Sequence, residues 1–349
     1  MKRKKGVGGF LAGLAGLAAT LILSFGLVVV LIIILSKAPG RTIYYFFVGP
    51  FTNKYALGNM LNVAVPLVFT GLGMAVAFTS SVFNLGGEGQ TYSGGLAATA
   101  VCLALPAANG FAGIVLSMIA AVVVSGFIAG LSGYFKMKWD ADEMISSFLL
   151  SYALVFIVNH FVTGPLHDPK NNMLVTSIIA NQYNLPYIFL PSRLNISACF
   201  ALLAAVMVYF LMNRSHMGYE MRMCGLNREF ARYGGIDVSR YFVLPMAISG
   251  ALHGLGGGFM VLGTYHATYE GFSAGMGWNG IAVALIARNN PLGVLPAALL
   301  FAYLDAGAKS AMLNGDVTFE LASIAQSFIF YFVSAQALYG LMRKRRPAS

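Results

Sequence analysis

The 349 residues are 58% hydrophobic and 10% charged, with a formal net charge of +10, and the mean hydropathy is +0.74. A water-soluble domain carries about 25% charged residues, so this chain cannot cover a water-facing surface, and its apolar segments must face lipid or one another. The basic excess sits in short clusters between long apolar runs, with no aromatic–basic recognition motif, which argues against nucleic acid as a partner and for charges that orient a membrane protein.

Taken in chain order, apolar runs predict ten spans, at 9–36, 60–80, 91–106, 111–135, 144–163, 195–213, 241–263, 272–288, 292–312 and 320–341. The expected fold class is all-α: a polytopic integral membrane protein, one transmembrane domain over residues 1–349 with membrane lipid as its solvent. The third and eighth runs are short for a crossing of about 20 residues and read as broken or half helices. The first follows Met-Lys-Arg-Lys-Lys and is too long for a signal core of about 7–15 residues, so an uncleaved, peripheral N-terminal span is expected. Placing the N-terminus inside leaves 16 of the 22 Lys and Arg on the inner side and 6 on the outer, which favours cytoplasmic termini. Two connections are long: a polar outer one over 164–194, and an inner one over about 214–240 that carries five arginines. The three cysteines show no metal spacing and read as small buried hydrophobes.

The most informative stretch is Phe83-Asn-Leu-Gly-Gly-Glu-Gly-Gln90-Thr91, where four polar side chains and three glycines interrupt apolar sequence. Two readings fit these residues. Backbone freed by the glycines belongs in protein or along a water-filled cavity, which makes a broken helix with Asn84, Glu88 and Gln90 at a solute pathway. Alternatively the stretch is a cytoplasmic turn with Glu88 as a helix-start carboxylate. A second interruption, around Trp278-Asn279, suggests an internal repeat, since paired broken helices in two halves point to a central translocation site.

In the inner connection, Asn227 is placed to cap a short helix that Gly234 ends. Arg228 and Arg232 share one face and Phe230 and Tyr233 another. Such a helix lies on the membrane surface or docks into a partner's groove; a plain topology-fixing loop is the alternative. Gly250, Gly254 and Gly258 recur every four residues as a stripe for close helix packing, with His253 beside it, read as hydrogen-bonded across helices. Asp305 and Lys309 are one turn apart, as an ion relay or, preferably, a local pair with Lys309 reaching outward. There is no GxxxxGK[ST] phosphate loop, nucleophile elbow or metal spacing, so no catalytic residue and no cofactor are assigned to the chain itself.

Five blocks in order carry a resemblance: Phe83–Gln90; Asp142-Glu-Met-Ile-Ser-Ser147; Gly225-Leu-Asn-Arg-Glu-Phe-Ala-Arg-Tyr-Gly-Gly-Ile236; Ile248-Ser-Gly-Ala-Leu-His-Gly-Leu-Gly-Gly257; and Gly280-Ile-Ala-Val-Ala-Leu-Ile-Ala-Arg-Asn-Asn-Pro-Leu-Gly293. From about residue 60 onward the chain resembles the permease subunit of bacterial ABC importers, in the branched-chain amino acid/simple sugar/nucleoside family, and most of all the nucleoside branch. The resemblance implies a permease core over about 60–341 in the bacterial plasma (inner) membrane. ATP and Mg would bind a separate cytoplasmic subunit, and a second homologous permease and an extracytoplasmic substrate-binding lipoprotein would complete the machine. Residues 225–236 would be the coupling helix, with Gly225, Asn227, Arg228, Glu229, Arg232 and Gly235 at the ATPase. The family's relatives take nucleosides, simple sugars and riboflavin. A planar ligand of that kind would suit stacking on Phe83 or Trp278, with Asn279 and His253 as further candidate pathway residues. Departures from the family pattern are His253, Asp142 and the Asp305/Lys309 pair. The competing expectation is a proton-coupled secondary transporter using Glu88 and Asp305.

Overall fold

A computed structural model describes residues 22–105, 110–321, 323–329 and 331–332. Among them the regular structure is helical, with three isolated β-bridges and no strands. Among the described residues six helices are long and apolar enough to cross a membrane: α3 (Lys54–Thr79), α5 (Gly110–Trp139), α6 (Glu143–Thr163), α7 (Ser197–Arg214), α10 (Arg240–Met260, continued by a π turn to Tyr265) and α12 (Pro291–Asn314). Shorter helices complete the set: α1 (Ile22–Leu35), α2 (Pro39–Val48), α4 (Gly87–Ala104), α8 (His216–Leu226), α9 (Arg228–Tyr233) and α11 (Met276–Ile286). A last helical stretch begins at residue 320. Each of the ten expected runs thus coincides with helix, and the two short ones are α4 and α11. The outer parts of the first and last runs, 9–21 and 333–341, lie outside the described residues.

The chain divides into two compact units, residues 1–60 with 300–349, and residues 61–299. In the first, α2 was not foreseen; Pro39 in its first turn and Asp316 explain it. The Asp316 carboxylate accepts from the Lys37 amide and the Ser36 and Thr42 hydroxyls, pinning the α1–α2 corner, and these bonds hold its pKa below the usual carboxylate value. On α12, Lys309 is exposed and Asp305 half-buried. The ion pairs among the described residues are Lys136–Asp140, Lys136–Glu143 and His216–Glu220. The expected Asp305–Lys309 pair is not among these close ion contacts.

In the second unit, the 61–79 part of α3, α4 and α10 are the buried elements, while α5, α6 and α7 turn broad apolar faces outward. Burial here is a matter of glycine. A Cβ on Gly250 would lie 2.4 Å from the Ser125 carbonyl oxygen of α5, and one on Gly254 2.3 Å from that of Ala121. On α10's other side a Cβ on Gly257 would meet the Thr91 carbonyl of α4 at 2.0 Å. Backbones at that range gain dispersion contact without a hydrophobic driving force, as helices in lipid must. Gly258 faces the flexible end of Met118 instead.

The polar 164–196 connection folds back onto the end of α10. Thr176, Ile179 and Leu185 amides donate to the carbonyls of Thr268, His266 and Leu262 at 2.9–3.0 Å. Tyr183 is buried against Gly113 of α5. Cys102 and Cys224 are buried as expected, but Cys199 is exposed on α7, whose outward face tolerates any apolar residue.

Gly254→Ala is expected to lower the unfolding temperature of the detergent-solubilised protein, since overpacking a dense interface costs about 1–3 kcal/mol. Gly256→Ala, whose Cβ has nothing nearer than 3.4 Å, is expected to leave it unchanged in the same thermal-shift measurement.

Candidate functional site

The break at 80–86 is built from side-chain amides. After α3 ends at Thr79, Ser81 turns the chain with φ 51°, and residues 82–86 run without helix until α4 begins at Gly87. Asn84 and Gln90 face each other across this turn as a reciprocal amide pair, Asn84 Nδ2 donating to Gln90 Oε1 at 2.8 Å and Gln90 Nε2 to Asn84 Oδ1 at 2.9 Å. Asn84 also donates to the Ser249 hydroxyl of α10 at 2.9 Å and accepts from the Gly86 amide at 2.9 Å. Two serines of α6 take further unpaired amides: Ser147 accepts from Leu85 at 3.0 Å and Ser151 from Gly89 at 2.8 Å. On α5, Ser125 donates to the Gln90 carbonyl at 2.7 Å. Asn84 is 0% and Gln90 2% exposed, so both belong to the internal lock of the break rather than to a surface.

Glu88 has a different position. It lies in the first turn of α4, half-exposed. Its Oε2 accepts from the Gly277 amide at 2.9 Å, and its Oε1 accepts from the Gly275 amide at 3.1 Å and from the Ser273 hydroxyl. One carboxylate therefore sits at the positive ends of two helices, α4 and α11, and satisfies donors that open the second. The approach is close enough to require glycine: a Cβ on Gly277 would lie 2.3 Å from the Glu88 nitrogen. The chain reaches this point by descending along α4 from α10's end. Thr268 bonds Thr99 at 2.6 Å, the Gly271 amide bonds the Tyr92 hydroxyl, and Phe272 stacks on Tyr92 at 5.0 Å in space left by Gly95.

The arginine-rich connection forms α8 and α9. Asn227 caps α9, accepting from the Phe230 amide at 3.0 Å, and Gly234 follows its last turn. The longer α8, capped by Ser215, was not foreseen. Gly225 packs on the end of α3, where a Cβ would be 2.1 Å from the Thr79 carbonyl. Ser81 donates to the Gly225 carbonyl at 2.7 Å, and Arg228 donates to the Ser81 carbonyl at 2.8 Å while its guanidinium lies 4.0 Å over the Phe242 ring. Burial lowers the Arg228 pKa from its ordinary value, with Glu143 opposing the shift; a guanidinium so placed stays charged. Arg228 thus faces inward. The outward surface consists of Leu226, Phe230 and Tyr233, 81%, 63% and 92% exposed, flanked by exposed Glu229 and Arg232. Gly235, at φ 81°, turns the chain away from α9.

With this geometry in place, the comparisons with known proteins fall into line. The profile of the family described as branched-chain amino acid transport system/permease component matches residues 56–334. The chain belongs to that family. It is 32% identical over 306 residues to the "Probable riboflavin import permease protein RfuC" of Treponema pallidum, covering 87% of this chain and 81% of the relative. It is 32% identical over 290 residues to the guanosine ABC transporter permease protein NupP of Bacillus subtilis, covering 82% and 83%. It is 30% identical over 299 residues to the glucose ABC transporter permease protein TsgB13 of Haloferax volcanii, covering 82% and 78%. Among solved structures, the one titled "An inward-facing conformation of a putative metal-chelate type ABC transporter" aligns over 95% of this chain and 100% of that one, at a TM-score of 0.44 and 14% identity.

The remaining candidates of this permease are scattered around the break. His253 is fully buried, with Nδ1 bonded at 2.7 Å to the Ser249 carbonyl of its own helix rather than across helices, and with Nε2 unpartnered. Its ring fills the space left by Gly73 and Gly87. Trp278 lies 5.9 Å from Phe148, and Asn279 is half-buried beside it. Phe83 is 42% exposed and pairs with Phe78 at 5.4 Å. Asn279 sits inside α11 whereas Asn84 precedes α4, so the two asparagines of the suggested repeat are not equivalent, although the half helices they mark do meet. Sequence reasoning missed Ser147, Ser151 and Ser273, whose only signal was a small polar residue facing a glycine-rich segment. Replacing Glu88 by Leu strands two buried amides at about 1–3 kcal/mol each. The Leu variant is expected to give a markedly lower unfolding temperature than Glu88→Gln, which keeps one acceptor; equal temperatures would contradict the bridging role.

Proposed function

We propose that this permease is the membrane subunit of an ATP-driven ABC importer for a small polar solute, nucleosides being favoured over riboflavin and simple sugars. It works by alternating access in the bacterial plasma membrane, with both termini cytoplasmic. ATP and Mg bind a separate cytoplasmic subunit docked on α8–α9. A second, homologous permease completes the solute path, and an extracytoplasmic lipoprotein delivers the solute. The substrate preference rests on the relatives named for guanosine and riboflavin.

One observation carries the coupling role: Ser81 is bonded to both Gly225 and Arg228, and lies three residues from Asn84. A displacement of α9 therefore reaches the segment that opens the broken helix through two hydrogen bonds. Leu226 at the end of α8 and Phe230 and Tyr233 on α9 are exposed, and such an apolar patch with charged flanks suits a protein partner. The proton-coupled alternative would use Glu88 and Asp305; the three hydrogen bonds that Glu88 accepts at the start of α11 give that carboxylate a structural role.

Two variants separate docking from transmission. Phe230→Asp with Tyr233→Asp is expected to abolish co-purification of the ATP-binding subunit. Arg228→Ala is expected to keep that subunit bound and hydrolysing ATP while uptake in proteoliposomes falls by about tenfold, the size of one lost charge-assisted hydrogen bond. Wild-type uptake by the Arg228 variant would remove the transmission role.

A further inference from the structure

The outward side of α6 is not uniform. Residues 149, 153, 156, 157 and 160 form a face of apolar and small groups suited to lipid, apart from His160 at the far end. Phe148, Tyr152 and Asn159 follow one another at i, i+4 and i+11 and so share a different stripe, beside the buried line of Ser147, Ser151 and Val158. Phe148 and Tyr152 are ring neighbours at 4.7 Å, and Phe148 lies 5.9 Å from Trp278 of α11. The rings remain open: Phe148 is 37% and Tyr152 50% exposed.

Two polar features adjoin the stripe. At one end is half-exposed Glu88, held by the Gly277 amide next to Trp278 and one residue from Gly89, which donates to Ser151. At the other, Asn159 Nδ2 meets exposed Glu270 at 3.4 Å, and Asn159 Oδ1 has no partner. A partly exposed carboxylate in the first turn of a half helix, and an amide–carboxylate contact farther along α6, are too costly to turn toward hydrocarbon. This flank therefore faces water or protein rather than lipid, and its rings are partly exposed there.

We propose that Phe148, Tyr152 and Trp278 form the stacking surface that selects the solute, and that it takes a planar heteroaromatic ring bearing a hydroxylated chain. The inference rests on the transport reading above and adds the residues that set its specificity. Flat π-faces placed edge to tilted edge hold a planar ring from its face and gain little from a non-planar sugar. The neighbouring carboxylate and amide are suited to the hydroxyls and ring N–H groups of such a solute.

The complete transporter in liposomes, with its binding protein, tests this with labelled guanosine, riboflavin and glucose as probes. Phe148→Leu with Tyr152→Leu keeps apolar volume but removes two π-faces. The expected result is at least a tenfold fall in uptake of the ring-bearing probe, with binding-protein-stimulated ATP hydrolysis within twofold of wild type; Tyr152→Phe is expected to restore uptake. Trp278→Leu gives an independent third reading if either α6 variant assembles poorly. Ring-solute uptake unchanged in the leucine variants overturns the proposal, as does uptake of glucose by the unaltered transporter at a rate equal to guanosine and riboflavin. Failure of the broader transport reading looks different: the unaltered complex would then move none of the three and show no stimulated ATP hydrolysis.

Discussion

A helix that stops inside a membrane leaves peptide groups without partners and without water, and each such group must be met by protein. This constraint explains the polar side chains gathered around residues 84–90. The Asn84–Gln90 pair, the hydroxyls of Ser147 and Ser151, and the Ser125 bond to the Gln90 carbonyl all serve the peptide groups between residues 84 and 90. Glu88 does for the start of α11 what those groups do for the start of α4. A carboxylate accepts more bonds than any neutral side chain of its size, and a pair of helix starts is the one place in an apolar interior where its charge is opposed by fixed dipoles. Glu88 can thus be understood as architecture before any role toward solute is considered.

Satisfying a broken backbone requires the neighbouring helices to come close, and closeness depends on glycine. Gly89 lies against the backbone of Ser151, Gly277 against Glu88, and Gly257 against Thr91, each at a separation that a Cβ would violate. Hydrogen bonds from short hydroxyl side chains reach across only because of these contacts. The serines and the glycines are therefore one device, and a substitution at either member is felt at the other.

Much of this was legible in the sequence because lipid enforces a simple rule: long apolar runs become helices, and polar interruptions mark exceptions. The cap at Asn227 and the short α4 and α11 follow from local chemistry that acts within a few residues. What the sequence could not show was direction. Arg228 and Arg232 share a helical face by spacing, yet Arg228 turns in toward Ser81 and Phe242 while Arg232 stays exposed. His253 is expected to bond across helices and instead bonds its own α10 backbone, where Gly73 and Gly87 give the ring space but leave Nε2 without a partner. α2 escaped notice because its stabilising carboxylate, Asp316, is almost the length of the chain away.

The distribution of these bonds also says which parts move together. α4 and α11 are joined at their starts by three bonds to one carboxylate and by a glycine-dependent backbone contact, and α6 is tied to the same point through Ser147 and Ser151. Such a knot behaves as a rigid body. The direct connection from this knot to α9 is an extended run of five residues, a left-handed turn at Ser81, and the two bonds Ser81 makes, with Arg228 also lying over Phe242 of α10. Motion between two packed bodies concentrates in the segment with the fewest constraints, usually a few residues at an element's end. Residues 80–83 fit that description. In the proposed importer, a push arriving at α9 would reach the knot, and the aromatic stripe carried by α6 and α11, through this segment.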